Sequence, residues 1–249
     1  MGIKSIKAFA IVIVWLRNME TIELAYVQFK HPFTALVAGA TGSGKTVLIR
    51  RLLRNHVWTI ANVNESKLRV IWIYGAWQNE YNIPLAPDSV EVAYMQTLPG
   101  VDDIQSFKPH LIIVDDLMHE MSNNKEMSDW FSKYSHHNNI SVMFVVQNLF
   151  FKGNLMRTIS LNAQYIILLK NARDRNQVAH LGRQLFPNKS KMFINVYNDA
   201  TTQPYGYLVI DTTTTTPDKY RLRRRLTREE VEHLSTKYRP IVYKIWNAE

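Results

Sequence analysis

Gly39-Ala40-Thr41-Gly42-Ser43-Gly44-Lys45-Thr46 satisfies the pattern G-x-x-x-x-G-K-[ST] at every defined position. The apolar run before it, Phe33 to Ala38, has the length and branching of a buried strand. The run after it, Val47-Leu48-Ile49-Arg50-Arg51-Leu52-Leu53, has the spacing of a helix with one apolar face. A loop between a strand and a helix N-terminus is where free backbone N–H groups and the positive end of the helix dipole can hold a phosphate. Gly39, Gly42 and Gly44 permit backbone angles and a close approach that a β-carbon would block. Lys45 supplies a point charge for β- and γ-phosphates, and the Thr46 hydroxyl is a ligand for Mg²⁺. Gly39, Ala40, Thr41, Gly42, Ser43, Gly44, Lys45, Thr46 and Val47 are therefore the expected binding residues for a nucleoside triphosphate, taken as ATP.

The chain has 249 residues and is 46% hydrophobic, enough for one large α/β domain with a full core. Lys plus Arg number 30 against 21 Asp plus Glu, a formal charge of +9 that favours a polyanionic partner such as DNA, RNA or an acidic surface. The absence of cysteine excludes disulfides and thiolate metal sites. The apolar run Ala8 to Leu16 is too short to span a bilayer and has no small-residue cleavage site, so no membrane association is expected. Residues 1–18 are read as an extension or docking segment, with Met19 as an alternative start. Residues 19–211 form the α/β domain, and residues 212–249 a Thr-rich linker with a basic tail.

Strand-like runs recur at Phe33–Ala38, Arg69–Tyr74, Val90–Tyr94, Leu111–Asp115, Ser141–Val146 and Tyr165–Leu169. Helical spacing appears at Lys45–His56, Lys125–His136 and Gln177–Phe186. Such alternation predicts a central, mostly parallel sheet flanked by helices, the α/β fold of a P-loop NTPase. Pro204–Asp211 is expected to be a late strand at an edge or in a hairpin.

Leu111-Ile112-Ile113-Val114-Asp115-Asp116 describes a buried strand that delivers carboxylates to the edge of the sheet where the phosphate loop lies. Asp115 is the expected Mg²⁺ ligand, through its water shell. Asp116 would orient or deprotonate the attacking water, with Glu120 as the substitute. A third apolar strand ends in Gln147-Asn148; Gln147 is the candidate γ-phosphate sensor and Asn148 the second choice. These strands together suggest the ATPase division that carries an extra strand between phosphate loop and acids. Arg157, Arg173, Arg175 and Arg183 are candidates for an arginine that reaches a neighbour's γ-phosphate, with Arg173 and Arg175 directly after the Tyr165–Lys170 run. His136-His137 lacks a spaced third metal ligand and reads as a polar loop. Lys219, Arg221, Arg223, Arg224, Arg225 and Arg228 could hold nucleic-acid phosphate or an acidic capsid surface, or form a solvated tail. Trp72 and Trp77 read as packing residues.

Several stretches resemble one family. They are the phosphate loop, Val70-Ile71-Trp72-Ile73-Tyr74-Gly75-Ala76-Trp77-Gln78, Ile112 to Leu117, Ser135-His136-His137-Asn138-Asn139-Ile140-Ser141-Val142, Val146 to Phe150 and Met156 to Ala163. From about Tyr26 to Arg225 the chain resembles the DNA-packaging ATPases of adintoviruses and Maverick/Polinton elements, within the wider FtsK/HerA-like, poxvirus-type group. The resemblance implies a RecA/FtsK-like fold of the division with the extra strand. It also implies a pentameric or hexameric homo-oligomeric ring that uses ATP and Mg²⁺ to drive double-stranded DNA into a capsid. The DNA would be gripped by its backbone with little sequence preference, and the ring would meet the capsid or portal vertex. The expected location is the host cell interior, at the nucleus or virus assembly site, or with the virion. Asp116 departs from the Glu that many members of the wider group carry. Two rivals remain open at this point: a P-loop nucleotide or nucleoside kinase, and a nucleotide-binding assembly switch without turnover.

Overall fold

The computed structural model of the chain describes residues 12–15, 26–63, 65–86, 88–117, 138–150, 159–173, 175–227, 230 and 241–244. Strands β1 (Val12–Trp15), β2 (Phe29–Lys30) and β3 (Thr34–Ala38) precede the phosphate loop, which leads into helix α1 (Lys45–Arg54) and the short α2 (His56–Thr59). Next come β4 (Ile60–Ala61), β5 (Leu68–Tyr74), a 3₁₀ turn at Asn79–Asn82 and β6 (Val90–Met95). Helix α3 (Val101–Phe107) is followed by β7 (Leu111–Asp115), β8 (Ser141–Val146) and β9 (Tyr165–Leu169). Helices α4 (Arg175–Leu185) and α5 (Ser190–Ala200) then lead to β10 (Tyr207–Asp211), β11 (Leu222–Arg224) and β12 (Ile241–Lys244).

A 10-stranded sheet of order β1-β12-β11-β10-β9-β3-β8-β7-β5-β6 organises the chain, with β2 and β4 paired separately. Strands β9, β3, β8, β7, β5 and β6 are parallel neighbours; β10, β11, β12 and β1 extend them antiparallel. This is the α/β, P-loop NTPase fold expected from the sequence. The extra strand is present as β8, which lies between the strand that feeds the phosphate loop and the strand that ends in Asp115.

Alternation along the parallel strands fills two cores, one on each face of the sheet. Leu36, Val142, Phe144, Val146, Ile166 and Leu168 join Val178, Leu181, Phe193 and Val196 of α4 and α5 in one core. Val37, Met143, Val145 and Ile167 join Leu48, Ile49, Leu52 and Leu53 of α1 in the other. Full burial of such side chains contributes about 1.5–3 kcal/mol each, so α1 is pinned to the sheet by one apolar stripe and the loop before it is held in place.

The late strand Pro204–Asp211 takes the hairpin alternative and not the edge one: β10 pairs antiparallel with the next strand in the chain, β11, and with β9 on its other side. Two expectations are corrected. Thr212–Thr216 makes defined side-chain bonds instead of behaving as a bare linker. Thr213 Oγ1 and Thr216 Oγ1 donate to the Asp211 carboxylate at 2.6 and 2.9 Å, and Thr212 Oγ1 donates to the Ala163 carbonyl at 2.7 Å. Within the basic run, Arg221, Arg223 and Arg224 are neither a solvated tail nor an open phosphate grip, because each is paired with a carboxylate. Arg223 is fully buried and ion-paired with Asp211 at 3.0 Å, Arg221 pairs with Asp218 at 2.7 Å and Arg224 with Asp199 at 3.3 Å. The strand period turns Arg223 inward, and a guanidinium there folds only with a carboxylate to meet it. The apolar run near the N-terminus contributes β1, antiparallel to β12. The predicted helix Lys45–His56 ends at Arg54, where Asn55 caps it by bonding to the Arg51 carbonyl through Nδ2 at 2.9 Å. The predicted helix Lys125–His136, the His136-His137 pair, Glu120, Arg157 and Arg228 lie outside the described residues.

Burial pushes the Arg223 guanidinium below its ordinary range, opposed by the Asp211 charge. Asp211→Asn removes that compensating charge and leaves the guanidinium buried alone, an effect of about 3–5 kcal/mol. Thermal unfolding of this variant should show a melting temperature lower by roughly 10 °C; an unchanged value would contradict the structural role assigned to the pair.

Candidate functional site

The register of the parallel strands builds the site. Ala38 pairs with Val146, and Val145 pairs with Asp115, so β3, β8 and β7 end together at one edge of the sheet. Gly39 N–H donates to the Val146 carbonyl at 3.2 Å, which sets the start of the phosphate loop beside Gln147.

Gly44 opens α1 with φ +93° and Gly42 has φ +75°, both in the left-handed region where glycine is favoured. Helix α1 has no side-chain cap and no acidic residue in its first turn, while Arg51 and Arg54 occupy its last. Its first N–H groups and the positive end of its dipole are thus left for an anion. The Ser43 hydroxyl is buried and has no hydrogen-bond partner among the described residues. A β-carbon on Gly39 would come within 2.6 Å of that hydroxyl oxygen. A cradle with uncapped donors, a buried free hydroxyl and no room for a side chain at Gly39 fits a polyphosphate. Lys45 Nζ donates to the Gly39 and Ala40 carbonyls at 2.7 and 3.2 Å, folded over the loop it would serve. Burial lowers its pKa from the usual lysine range, against the opposing pull of Asp115 and then Asp116.

Asp115 is 3% exposed and accepts a hydrogen bond from Tyr81 Oη at 3.0 Å. Burial raises its pKa above the usual aspartate range, with the Tyr81 bond and the Lys45 charge pulling the other way. Burial, followed by the Asp115 charge, raises Tyr81 in turn and keeps it a donor. The Thr46 hydroxyl donates to Gln78 Oε1 at 2.9 Å. A hydroxyl and a carboxylate are hard oxygen donors suited to Mg²⁺, which takes few protein ligands and completes its shell with water and phosphate. No cluster of three or more His, Cys, Asp or Glu that could hold a metal ion occurs among the described residues.

Asp116 takes φ +58°, and its Oδ1 accepts a hydrogen bond from Gln147 Nε2 at 3.0 Å. The reversal of the chain at Asp116 is possible because Gly75 lies against it: a β-carbon there would meet the Asp116 carbonyl oxygen at 2.9 Å. The pair expected to act on water is thus in contact. Asn148 is exposed, and beyond it the Leu149 N–H donates to Gln177 Oε1 on α4 at 2.7 Å. Arg173 and Arg175 are exposed beyond the end of β9, on the same edge. Among the described residues neither is ion-paired to the loop or to Asp115 and Asp116, and Arg183 lies farther along α4.

Two residues escaped sequence reasoning: Gln78 and Tyr81, which hold Thr46 and Asp115. Both come from the turn after β5, and the aromatic cluster of Trp72, Tyr74, Trp77, Tyr81 and Tyr94 positions that turn. Trp72 packs as expected and Trp77 is half-exposed at the rim. A polar residue shortly after a second buried strand was the available signal, and it has no distinctive spacing.

No protein-family model matches the chain, and no curated protein matches it. Among solved structures it is similar to the genome packaging NTPase B204 of Sulfolobus turreted icosahedral virus 2 in complex with AMPPCP. The identity is 12%, covering 78% of this chain and 96% of that one, with a TM-score of 0.49. B204, the DNA-packaging ATPase of Sulfolobus turreted icosahedral virus, is 15% identical over 73% of this chain and 93% of its own, TM-score 0.48. The flagellar accessory protein FlaH of Methanocaldococcus jannaschii is 13% identical over 63% of this chain and 80% of its own, TM-score 0.42. These are distant likenesses; the fold assignment stands on strand order and loop geometry.

A carboxyl whose folded pKa is raised favours the protonated fold, so its contribution to stability is present at low pH and lost as pH rises through the folded value. Metal-free Asp115→Asn should therefore lose the part of the acid-to-neutral stability decline that sets in above about pH 4. At neutral pH it should melt higher than the parent. Mg²⁺ with ATPγS should stabilise the parent, and the same variant should lose that added stabilisation. Melting curves with and without Mg·ATPγS check both; a variant that melts lower at neutral pH contradicts the burial argument.

Proposed function

We propose that the chain is an ATP-driven motor that moves double-stranded DNA into a viral or transposon capsid, of the kind found in adintoviruses and Maverick/Polinton elements. The observation that carries the catalytic half of this reading is the Asp116–Gln147 contact beside an uncapped phosphate loop. Phosphates are bound by the α1 N-terminus, Lys45 and the Ser43 hydroxyl. Thr46 and Asp115 would hold Mg²⁺, which would supply charge neutralisation for the phosphates. Asp116 accepts a proton from, or orients, the attacking water, and the Gln147 amide positions Asp116 and reports the γ-phosphate through the same group. An arginine from a neighbouring copy, Arg173 or Arg175, completes the charge stabilisation.

The translocation half rests on the sequence resemblance and on the formal charge of +9. A polyanion gripped by backbone charge is read with little sequence preference. A kinase with a small phosphoryl acceptor has no account of the Asp116–Gln147 pair, and an assembly switch without turnover has no use for it.

Steady-state ATP hydrolysis with and without duplex DNA tests the reading. The parent should be stimulated by duplex, with a response that falls as salt rises. Lys45→Ala should abolish turnover. Asp116→Ala should reduce kcat by about 10²- to 10⁴-fold while nucleotide still binds. Turnover that ignores DNA, or that survives Lys45→Ala, overturns the motor.

A further inference from the structure

Strand β10 runs antiparallel to β9, so it starts at the edge where β9 ends; Tyr207 pairs with Leu169. The chain reaches that edge through a tight turn after α5. Gly206 N–H donates to the Gln203 carbonyl at 3.0 Å, and a β-carbon on Gly206 would come within 2.6 Å of the Ala200 carbonyl oxygen. Tyr205, immediately before, has φ +59°. That is a strained conformation for a bulky residue, of the sort that persists where the surroundings impose it. The strain does not serve burial, because Tyr205 is 62% exposed. It lays the ring against the phosphate loop: a β-carbon on Gly44 would lie 2.6 Å from Tyr205 Cδ1. Val47, three residues along and so on the same side of the first turn of α1, is 43% exposed.

The turn has a firm mount. Thr201 Oγ1 donates to the Tyr197 carbonyl at 2.8 Å. The Tyr197 hydroxyl donates to the Leu169 carbonyl at 3.1 Å and accepts from the Asn171 N–H at 2.9 Å. Leu169 is itself the neighbour that a β-carbon on Gly39 would meet at 2.9 Å. Helix α5, the end of β9 and the first glycine of the loop form one frame, and Tyr205 is carried on it.

We propose that Tyr205 is the nucleobase platform of this site, with the purine of the bound nucleoside triphosphate stacked on its ring. The proposal rests on the reading that Gly39–Thr46 binds the phosphates of that nucleotide. A largely exposed aromatic ring beside an exposed valine suits a flat apolar ligand, and stacking reads the face of a base and not its edge. Adenine and guanine nucleotides should therefore depend on Tyr205 alike.

Titration calorimetry on the full chain with Mg²⁺ tests this, using ATPγS, GTPγS and inorganic tripolyphosphate as ligands. Tyr205→Ala should weaken both nucleotides by about 5- to 150-fold and leave tripolyphosphate within about twofold of the parent. Tyr205→Phe should keep nucleotide affinity within about threefold, because the ring remains. Lys45→Ala should weaken all three ligands, which marks loss of the phosphate site as distinct from loss of the base. Equal weakening of tripolyphosphate and nucleotide by Tyr205→Ala, or no weakening of either nucleotide, overturns the platform. A parent that binds none of the three ligands overturns the nucleotide reading and the platform with it.

Discussion

Helix α1 begins without a cap, and the site is arranged around that end. Gly44 carries no side chain to bond the first N–H groups, and no carboxylate in the first turn offsets the dipole. Left in water, such an end is only weakly unfavourable; set on a sheet beside a buried carboxylate, it becomes a place for a polyanion and its cation. The apolar stripe Leu48, Ile49, Leu52 and Leu53 fixes where the end points. The parallel register fixes what lies beside it, because β3, β7 and β8 all finish at the same level. Each of Gly39, Asp115, Asp116 and Gln147 follows or ends one of those strands.

The oxygen atoms suited to Mg²⁺ do not wait unpartnered. Gln78 holds the Thr46 hydroxyl and Tyr81 holds the Asp115 carboxylate, and both come from one turn after β5. That turn is braced by an aromatic cluster and by the buried Arg50, whose guanidinium donates to the Ile83 carbonyl and to the Tyr94 hydroxyl. A cation drawing on Thr46 and Asp115 must compete with the same short segment twice. On the other side, Gln177 of α4 accepts from the backbone just after Gln147 and Asn148, so the end of β8 is tied to the helix that Arg175 begins.

Much of this was legible in the sequence, for a physical reason. Leu111–Asp115, Ser141–Val146 and Tyr165–Leu169 coincide with β7, β8 and β9 because strands buried on both faces are unbroken apolar runs with polar residues only at their ends. The same rule exposed Asp115, Asp116 and Gln147 as strand-end groups. It failed where burial and polarity coincide. Arg223 lies in a run of arginines that reads as a phosphate grip or a solvated tail, yet its strand position turns it into the core against Asp211. The threonines after Asp211 read as a linker because their role is to satisfy a carboxylate, which leaves no periodic trace. Gln78, Tyr81 and Tyr205 act from turns, where the three-dimensional path and not the spacing decides what they meet.

The most direct measurement is an electron-microscopy reconstruction of the full chain with a non-hydrolysable ATP analogue, Mg²⁺ and duplex DNA. A pentameric or hexameric ring around the duplex is expected. The phosphates should lie on the uncapped end of α1, Asp116 and Gln147 should face the γ-phosphate, and an arginine of the adjoining copy should close the site. A monomer or dimer with DNA unbound, or phosphates held away from Gly39–Thr46, would contradict it.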